Sequence, residues 1–226
     1  MQQSLPAAIA AIEEHGILLV FPITNQPLPL SLWSALHPRS RMRWAWDDAA
    51  DRRVVELWHL REELARSSKV VYAKWFRGRA TFFSRPVFRA MLSTLKATCK
   101  IDEGLSIRAR ALLDLLEDDS PQSTKELRRT SEMQGRAMEA MYTRALTELW
   151  SRLLIVGVGE VADGAFPSLS IGATKLLYED LWIPSDERPS AKEVRLLSRV
   201  LPPGSAFARQ FEKVRAKLAS ARSAHF

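Results

Sequence analysis

The chain has 226 residues, with 33 Lys and Arg against 26 Asp and Glu, a formal net charge of +7 and a pI near 9.8. An apolar content of 46% is that of a globular protein with a real core, and the length allows one large domain or two small ones. The single cysteine, Cys99, excludes an intrachain disulfide and a cysteine-rich zinc site.

These features fit a reducing compartment. Without a basic, then apolar leader or a run of about 20 apolar residues, a cytoplasmic protein with no membrane partner is expected. The basic excess suits a polyanion, because phosphate neutralisation drives sequence-independent DNA affinity.

In chain order, residues 5–15 read as an amphipathic helix closed by Gly16. Residues 17–21 form an apolar run for a buried strand. Pro22, Pro27 and Pro29 keep 22–30 irregular, and Ser31 caps a short helix carrying Leu32, Trp33 and Leu36. The stretch 37–48 interleaves Arg39, Arg41 and Arg43 with Trp44 and Trp46, ahead of Asp47 and Asp48. Cations for phosphates beside flat rings for an unpaired base are what a nucleic-acid groove needs. The plain alternative is two tryptophans anchoring a loop whose arginines are solvated.

Residues 51–67 predict a helix with Val54, Val55, Trp58 and Leu64 inward. Residues 69–76 and 79–83 predict a hairpin about Arg77-Gly78. Lys69, Lys74, Arg77 and Arg79 make it basic, so it can lie across a DNA backbone with Tyr72 or Trp75 as a flat contact; alternatively its aromatic face covers the core. Ser84 caps a helix through Leu95, with Pro86 in its first turn. Residues 96–104 lose periodicity and end in Gly104, a boundary between two lobes.

The stretch 106–171 carries the main expectation. Ile107, Ala111, Leu112, Leu115 and Leu116 form one apolar stripe on a helix over 106–116. Pro121 ends that region, and Ser123 with Glu126 makes a capping box for a short helix bearing Leu127. A longer helix is expected over 134–153, with Met138, Met141, Tyr142, Ala145, Leu149 and Leu153 on one face. Arg136, Thr143, Arg144, Glu148 and Arg152 are left for the other face. Residues 154–158 and 166–171 read as two strands about a turn at 162–165, where Gly164 is free to take positive φ.

Helix, capped helix, longer helix and hairpin is the pattern of a winged helix-turn-helix, whose third helix enters the major groove. Beyond it lie an apolar segment to Trp182, a second Ser-x-x-Glu cap at Ser190 and Glu193, and a basic helix over 205–221. The fold expected is mainly α with small β-hairpins (α+β), as two winged-helix-type lobes. Residues 1–100 form a lobe with the basic hairpin, 101–182 the winged helix, and 183–226 a helical extension.

Four strings sharpen this reading: E-E-H-G-I-L-L-V-F-P (13–22), S-L-W-S-A-L (31–36), Y-A-K-W-F-R-G-R-A-T-F-F-S (72–84) and R-A-L-T-E-L-W-S-R-L-L-I-V-G (144–157). They resemble bacterial AlkZ-related (YcaQ-like) winged-helix proteins, relatives of the DNA glycosylases that repair interstrand crosslinks. The resemblance covers most of the chain through about Trp182 and implies a DNA-associated winged-helix architecture. The crosslink glycosylases carry a Gln-x-Gln catalytic motif. Here Gln2, Gln3, Gln26, Gln122, Gln134 and Gln210 include no pair one residue apart.

No phosphate-cradling glycine loop appears, and His15, His37, His59 and His225 are scattered. No metal and no cofactor are expected. The leading expectation is a DNA-binding protein for double-stranded DNA. Arg136, Thr143 and Arg144 face the groove, Lys74, Arg77 and Arg79 the backbone, and Arg41, Arg43, Trp44 and Trp46 add contacts. A glycosylase-like repair enzyme is the alternative, for which Asp47 and Asp48 are the only catalytic candidates. The third reading is an interaction module that binds a partner or a second copy as a homodimer.

Overall fold

Local signals set the first elements. Ser4 accepts from the Ala7 N–H at 3.4 Å and Gly16 turns to φ 78, so helix α1 runs Leu5–His15. Strand β1 (Ile17–Leu19) is buried throughout. Ser31 and Ser34 cap one another across α2 (Leu32–Leu36), and Asp51 caps α3 (Arg52–Arg66). The computed structural model describes residues 4–43, 51–186 and 188–223. Trp44, Trp46, Asp47 and Asp48 therefore lie outside the described residues.

The basic hairpin forms as strands β2 (Val70–Phe76) and β3 (Arg79–Ser84), followed by α4 (Arg85–Thr98). Arg77 (φ 52) and Gly78 (φ 73) both turn left-handed, the geometry a two-residue hairpin loop requires. Then come α5 (Ile107–Asp118), a two-residue strand β4 (Gln122–Ser123), α6 (Thr124–Thr130) and α7 (Glu139–Ser151). Strands β5 (Ile155–Val161) and β6 (Ser168–Ala173) follow. The chain ends in short helices α8 (Thr174–Leu177) and α9 (Glu179–Trp182), a 3-10 turn at Pro184–Asp186, then α10 (Ala191–Val200) and α11 (Ala206–Ser223).

The fold is mixed α+β. Its strands join into one six-stranded antiparallel sheet in the order β1-β3-β2-β5-β6-β4. The two hairpins meet where β2 pairs β5, with Tyr72 opposite Gly157. A Cβ on Gly157 would stand 2.4 Å from Tyr72 Cδ1. The Tyr72 ring lies on the glycine and meets Phe82 edge-on at 5.2 Å. On the first hairpin Trp75 packs against Phe83 at 5.6 Å, and Phe207 of α11 meets Phe76 at 5.1 Å. The C-terminal helix is thus anchored on the first hairpin by one aromatic residue. No helix among the described residues is long and apolar enough to cross a membrane.

Several faces differ from their sequence reading. Helix α3 buries Leu57, Leu60, Arg61, Leu64 and Ala65 while Val55 and Trp58 are exposed, so its inward stripe is rotated from the one expected. Tyr72 and Trp75, read as flat contacts for DNA, are each 1% exposed and belong to the core. On α5, Ile107 is 90% exposed, and Ala109, Leu112, Leu113 and Leu116 face inward. Helix α7 starts at Glu139 rather than 134, because Gly135 (φ 83) holds the preceding residues in a turn. Ser123 caps α6, but Glu126 turns to Arg129 instead of closing the capping box. Gly164 does not take positive φ; the hairpin bulges at Gly159 (φ 124) instead.

The strand junction yields a stability prediction. Gly157→Ala relieves the backbone entropy of a glycine by at most about 1 kcal/mol. It forces a methyl group into a ring that has nowhere to move, at about 1–3 kcal/mol. The net expectation is destabilisation in urea or thermal unfolding, smaller in a Tyr72→Val background. Equal stability of Gly157→Ala and the parent would show that the ring does not confine this position.

Candidate nucleic-acid interface

The first cationic surface is the loop 37–43, and its path is fixed by side chains. Asn25 donates from Nδ2 to the Met42 carbonyl at 3.0 Å and accepts the Met42 N–H on Oδ1 at 2.8 Å. One side chain thereby satisfies both backbone groups of a loop residue, as a neighbouring strand would. Thr24 (φ 49) and Asn25 (φ 55) are both left-handed, which turns that amide toward the loop. Trp33, fully buried, donates its indole N–H to the Ser40 carbonyl at 2.8 Å and meets the His37 ring at 4.7 Å, tilted by 54°.

Side chains along this loop alternate. Arg39, Arg41 and Arg43 are exposed, while Ser40 and Met42 between them are half-buried. Among the described residues none of the three arginines has an ion-pair partner. They line a crevice of about 450 Å³ with Ser40, Asp51 and Arg53. The Arg53 guanidinium holds the Asp51 carboxyl below the usual carboxylate range, with burial opposing. Its bonds to Asp51 are 2.9 and 2.7 Å. His37 is pushed down first by burial and then by the Arg53 charge, so its ring is neutral at neutral pH.

The second surface is a hollow of about 660 Å³ between α5, α7 and α11. Thr143, Arg144 and Met141 line it from α7, Ile107 and Arg108 from α5, and Lys217 from α11. Beneath it, Arg152 is 2% exposed. It donates to Glu148 at 2.8 Å and to the carbonyls of Ile101 and Gly104 at 3.1 Å each. Glu148 also accepts from the Ser106 hydroxyl at 2.8 Å. Arg152, read from sequence as free for the outer face, is instead the pin that sets α7 against the start of α5. Arg136 precedes α7, in the turn after Gly135.

The third is the hairpin. Arg77 and Arg79 are exposed, with Arg77 over the Phe76 ring at 5.2 Å. Lys74 has its ammonium pKa lowered first by desolvation and then by the nearby Arg61 charge, with Glu160 opposing. Arg61 is buried, ion-paired to Glu160 of β5 and 4.3 Å from the Trp58 ring. Lys74, Arg77 and Arg79 line neither hollow.

Sequence reasoning missed Asn25, Arg108 and Lys217 as parts of these surfaces. The alternation of Arg39, Arg41 and Arg43 was a readable signal; the residues that hold the loop were not. No group of three or more His, Cys, Asp or Glu that could hold a metal ion occurs among the described residues. The family model described as AlkZ related matches residues 3–190. No curated protein and no solved structure matches the chain.

Two predictions follow from this geometry. Arg152→Met removes the buried donor shared by the half-buried Glu148 and the carbonyls of Ile101, Glu103 and Gly104, and should cost about 3 kcal/mol. Arg129→Met, at a solvent-screened exposed pair with Glu126, should change stability far less. Denaturant midpoints of both variants check the contrast.

Asp51→Ala removes the α3 cap at about 1 kcal/mol. The folded pKa of Asp51 is depressed, so this stabilisation is complete above the unfolded value of about 3.9. It is lost as pH falls through the lower folded value. The stability difference between parent and variant should therefore be constant near neutral pH and shrink in acid.

Proposed function

The chain belongs to the AlkZ-related family, and from that premise we propose that it is a DNA-binding winged-helix protein acting in a DNA-repair setting. The observation that carries the reading is the order α5, β4, α6, α7, β5, β6, with β4 paired to the outer edge of β6. Helix, short strand, two helices and a hairpin, with the short strand on the hairpin, is the order of a winged helix. In this reading residues 101–182 are that module and α7 is the groove-facing helix. Residues 1–100 are a second lobe of the same type, and 183–226 an extension that braces the first hairpin.

Thr143 and Arg144 are the base-facing residues of α7, and Arg136 is a phosphate contact at its N-terminal turn. Lys74, Arg77 and Arg79 follow the backbone of the duplex. Binding rather than catalysis is proposed, since the chain lacks the Gln-x-Gln string and Gln122 is occupied in bonding the Leu115 and Asp119 carbonyls. A second reading, a dimerisation module, draws on Ile107, 90% exposed in the hollow beside α7.

Fluorescence polarisation against a blunt duplex tests the proposal. Binding should weaken with salt, and the log–log slope should fall by about 1 for each of Arg77→Ala and Arg79→Ala. Arg144→Ala should weaken binding further. No duplex binding at low salt, together with a sedimentation shift in Ile107→Asp, would replace this reading by the dimerisation one.

A further inference from the structure

The loop 37–43 has features that a duplex does not call for. Its three exposed arginines stand at alternate positions, separated by half-buried Ser40 and Met42. Alternate positions of an extended segment lie about 6.6 Å apart on one face, the spacing open to Arg41 and Arg43; Arg39 stands ahead of them in a turn closed by the Ser40 N–H on the His37 carbonyl at 3.1 Å. The spacing is held from outside, by the two Asn25 bonds to Met42 and the Trp33 bond to Ser40. Arg39 is kept left-handed at φ 67, a conformation an arginine adopts only when its surroundings impose it. Among the described residues, the one carboxylate lining the crevice, Asp51, is already neutralised by two bonds from Arg53.

Adjoining the row is a second crevice of about 220 Å³, lined by Pro22, Gln26, Pro27, Trp33 and His37. Pro22, Pro27 and the half-buried His37 ring stand on its wall, with Trp33 buried behind them and Gln26 adding an amide. His37 adds a ring that is neutral at neutral pH. A small inorganic anion would use one or two of the cations. A row of three asks for a polymer of regularly spaced charges. The walled crevice beside it suits a flat heterocycle with hydrogen-bonding edges. A base stacked and paired inside a duplex cannot enter such a crevice.

We propose that this loop is a rail for single-stranded DNA, in which Arg39, Arg41 and Arg43 take successive phosphates of one strand and the crevice beside His37 takes one unpaired base. It rests on the DNA-binding reading only in sharing nucleic acid as the ligand. Asn25 and Trp33 are positioning residues here. They touch no phosphate, and their role is to keep three flexible side chains aimed one way. Ordering the backbone beforehand removes part of the entropy cost of binding.

The test compares a fluorescent oligothymidine with a blunt duplex of equal length, by polarisation over a salt series. The wild type should bind the oligothymidine, and the triple variant Arg39→Ala, Arg41→Ala, Arg43→Ala should lower the salt slope by about 2, from about 0.7 per phosphate contact. Asn25→Ala keeps every charge and should still weaken oligothymidine binding severalfold. Duplex binding should change little in either variant and fall in Arg144→Ala.

Unchanged oligothymidine binding in the triple variant overturns the rail. So does equal loss of duplex and single-strand binding, or displacement of the oligothymidine by polyglutamate at equal charge. Asn25→Ala with wild-type affinity overturns the positioning role. Duplex binding without oligothymidine binding overturns the rail and leaves the winged-helix reading standing. Oligothymidine binding without duplex binding does the reverse.

Discussion

The contact of Tyr72 with Gly157 is the constraint on which the rest depends. Two hairpins that are local in sequence become one sheet only where β2 meets β5, and their register there is a tyrosine opposite a glycine. A side chain at 157 would push the strands apart, since the ring over it is 1% exposed and confined by Phe82. Covering a strand glycine with an aromatic ring from the next strand restores the packing that the glycine lacks. Burial pushes the Tyr72 hydroxyl pKa up, with the Arg61 guanidinium opposing. The phenol is therefore neutral at the centre of the sheet. Arg61 in turn reaches Glu160, tying α3 to the second hairpin. One junction thus sets the relation of both hairpins and of α3.

That arrangement sorts the positive charge. Arg66, Arg85, Arg89, Arg110, Arg128, Arg129 and Arg215 each hold a carboxylate at or near the surface. Such pairs add little stability individually, but they remove cations from availability. Arg39, Arg41, Arg43, Arg77, Arg79, Arg108 and Arg144 have no such partner among the described residues. They fall into three groups: the 37–43 loop, the hairpin tip and the α7 hollow. The net charge of +7 is therefore an average over paired and unpaired cations.

Much of the fold was legible because local chemistry decides it. Ser4, Ser31, Ser106, Ser123 and Ser190 each cap the helix that follows, and Gly16 and Gly204 take the positive φ that breaks the chain beside a helix. The faces were less legible. On α3 the apolar residues Val55 and Trp58 drew the expected stripe to one side. The true stripe includes Arg61, which is buried only because Glu160 comes from 99 residues away. Ile107 failed likewise: its apolar character predicts burial, yet its place in the first turn of α5 points it into the α7 hollow. Strand β4 has two residues and takes its identity entirely from β6, so no periodicity could announce it. The candidate site shows the same division. The arginines of the 37–43 loop were visible as a pattern, but Asn25, 17 residues from Met42, carries no local sign of its role.

The two surfaces best formed for recognition depend on buried or half-buried polar groups whose use is to fix direction. Arg152 and Glu148 sit beneath the α7 hollow, at 3% and 13% side-chain exposure. A buried pair of this kind is seldom a net source of stability against an apolar replacement, since desolvation offsets the attraction. What it supplies is angular: its donors reach the loop ahead of α5 and α7 at once, so the two helices cannot slide independently. Asn25 does the same for the 37–43 loop, with neutral groups and two bonds to a single residue. An apolar contact in either place would permit small translations at little cost. On the proposed reading, cations on long, flexible stems gain from a base that does not move, because affinity for a regular row of phosphates would fall once the stems no longer start from fixed points. The polar interior and the unpaired exterior are in this sense one arrangement, with the first setting the spacing on which the second relies.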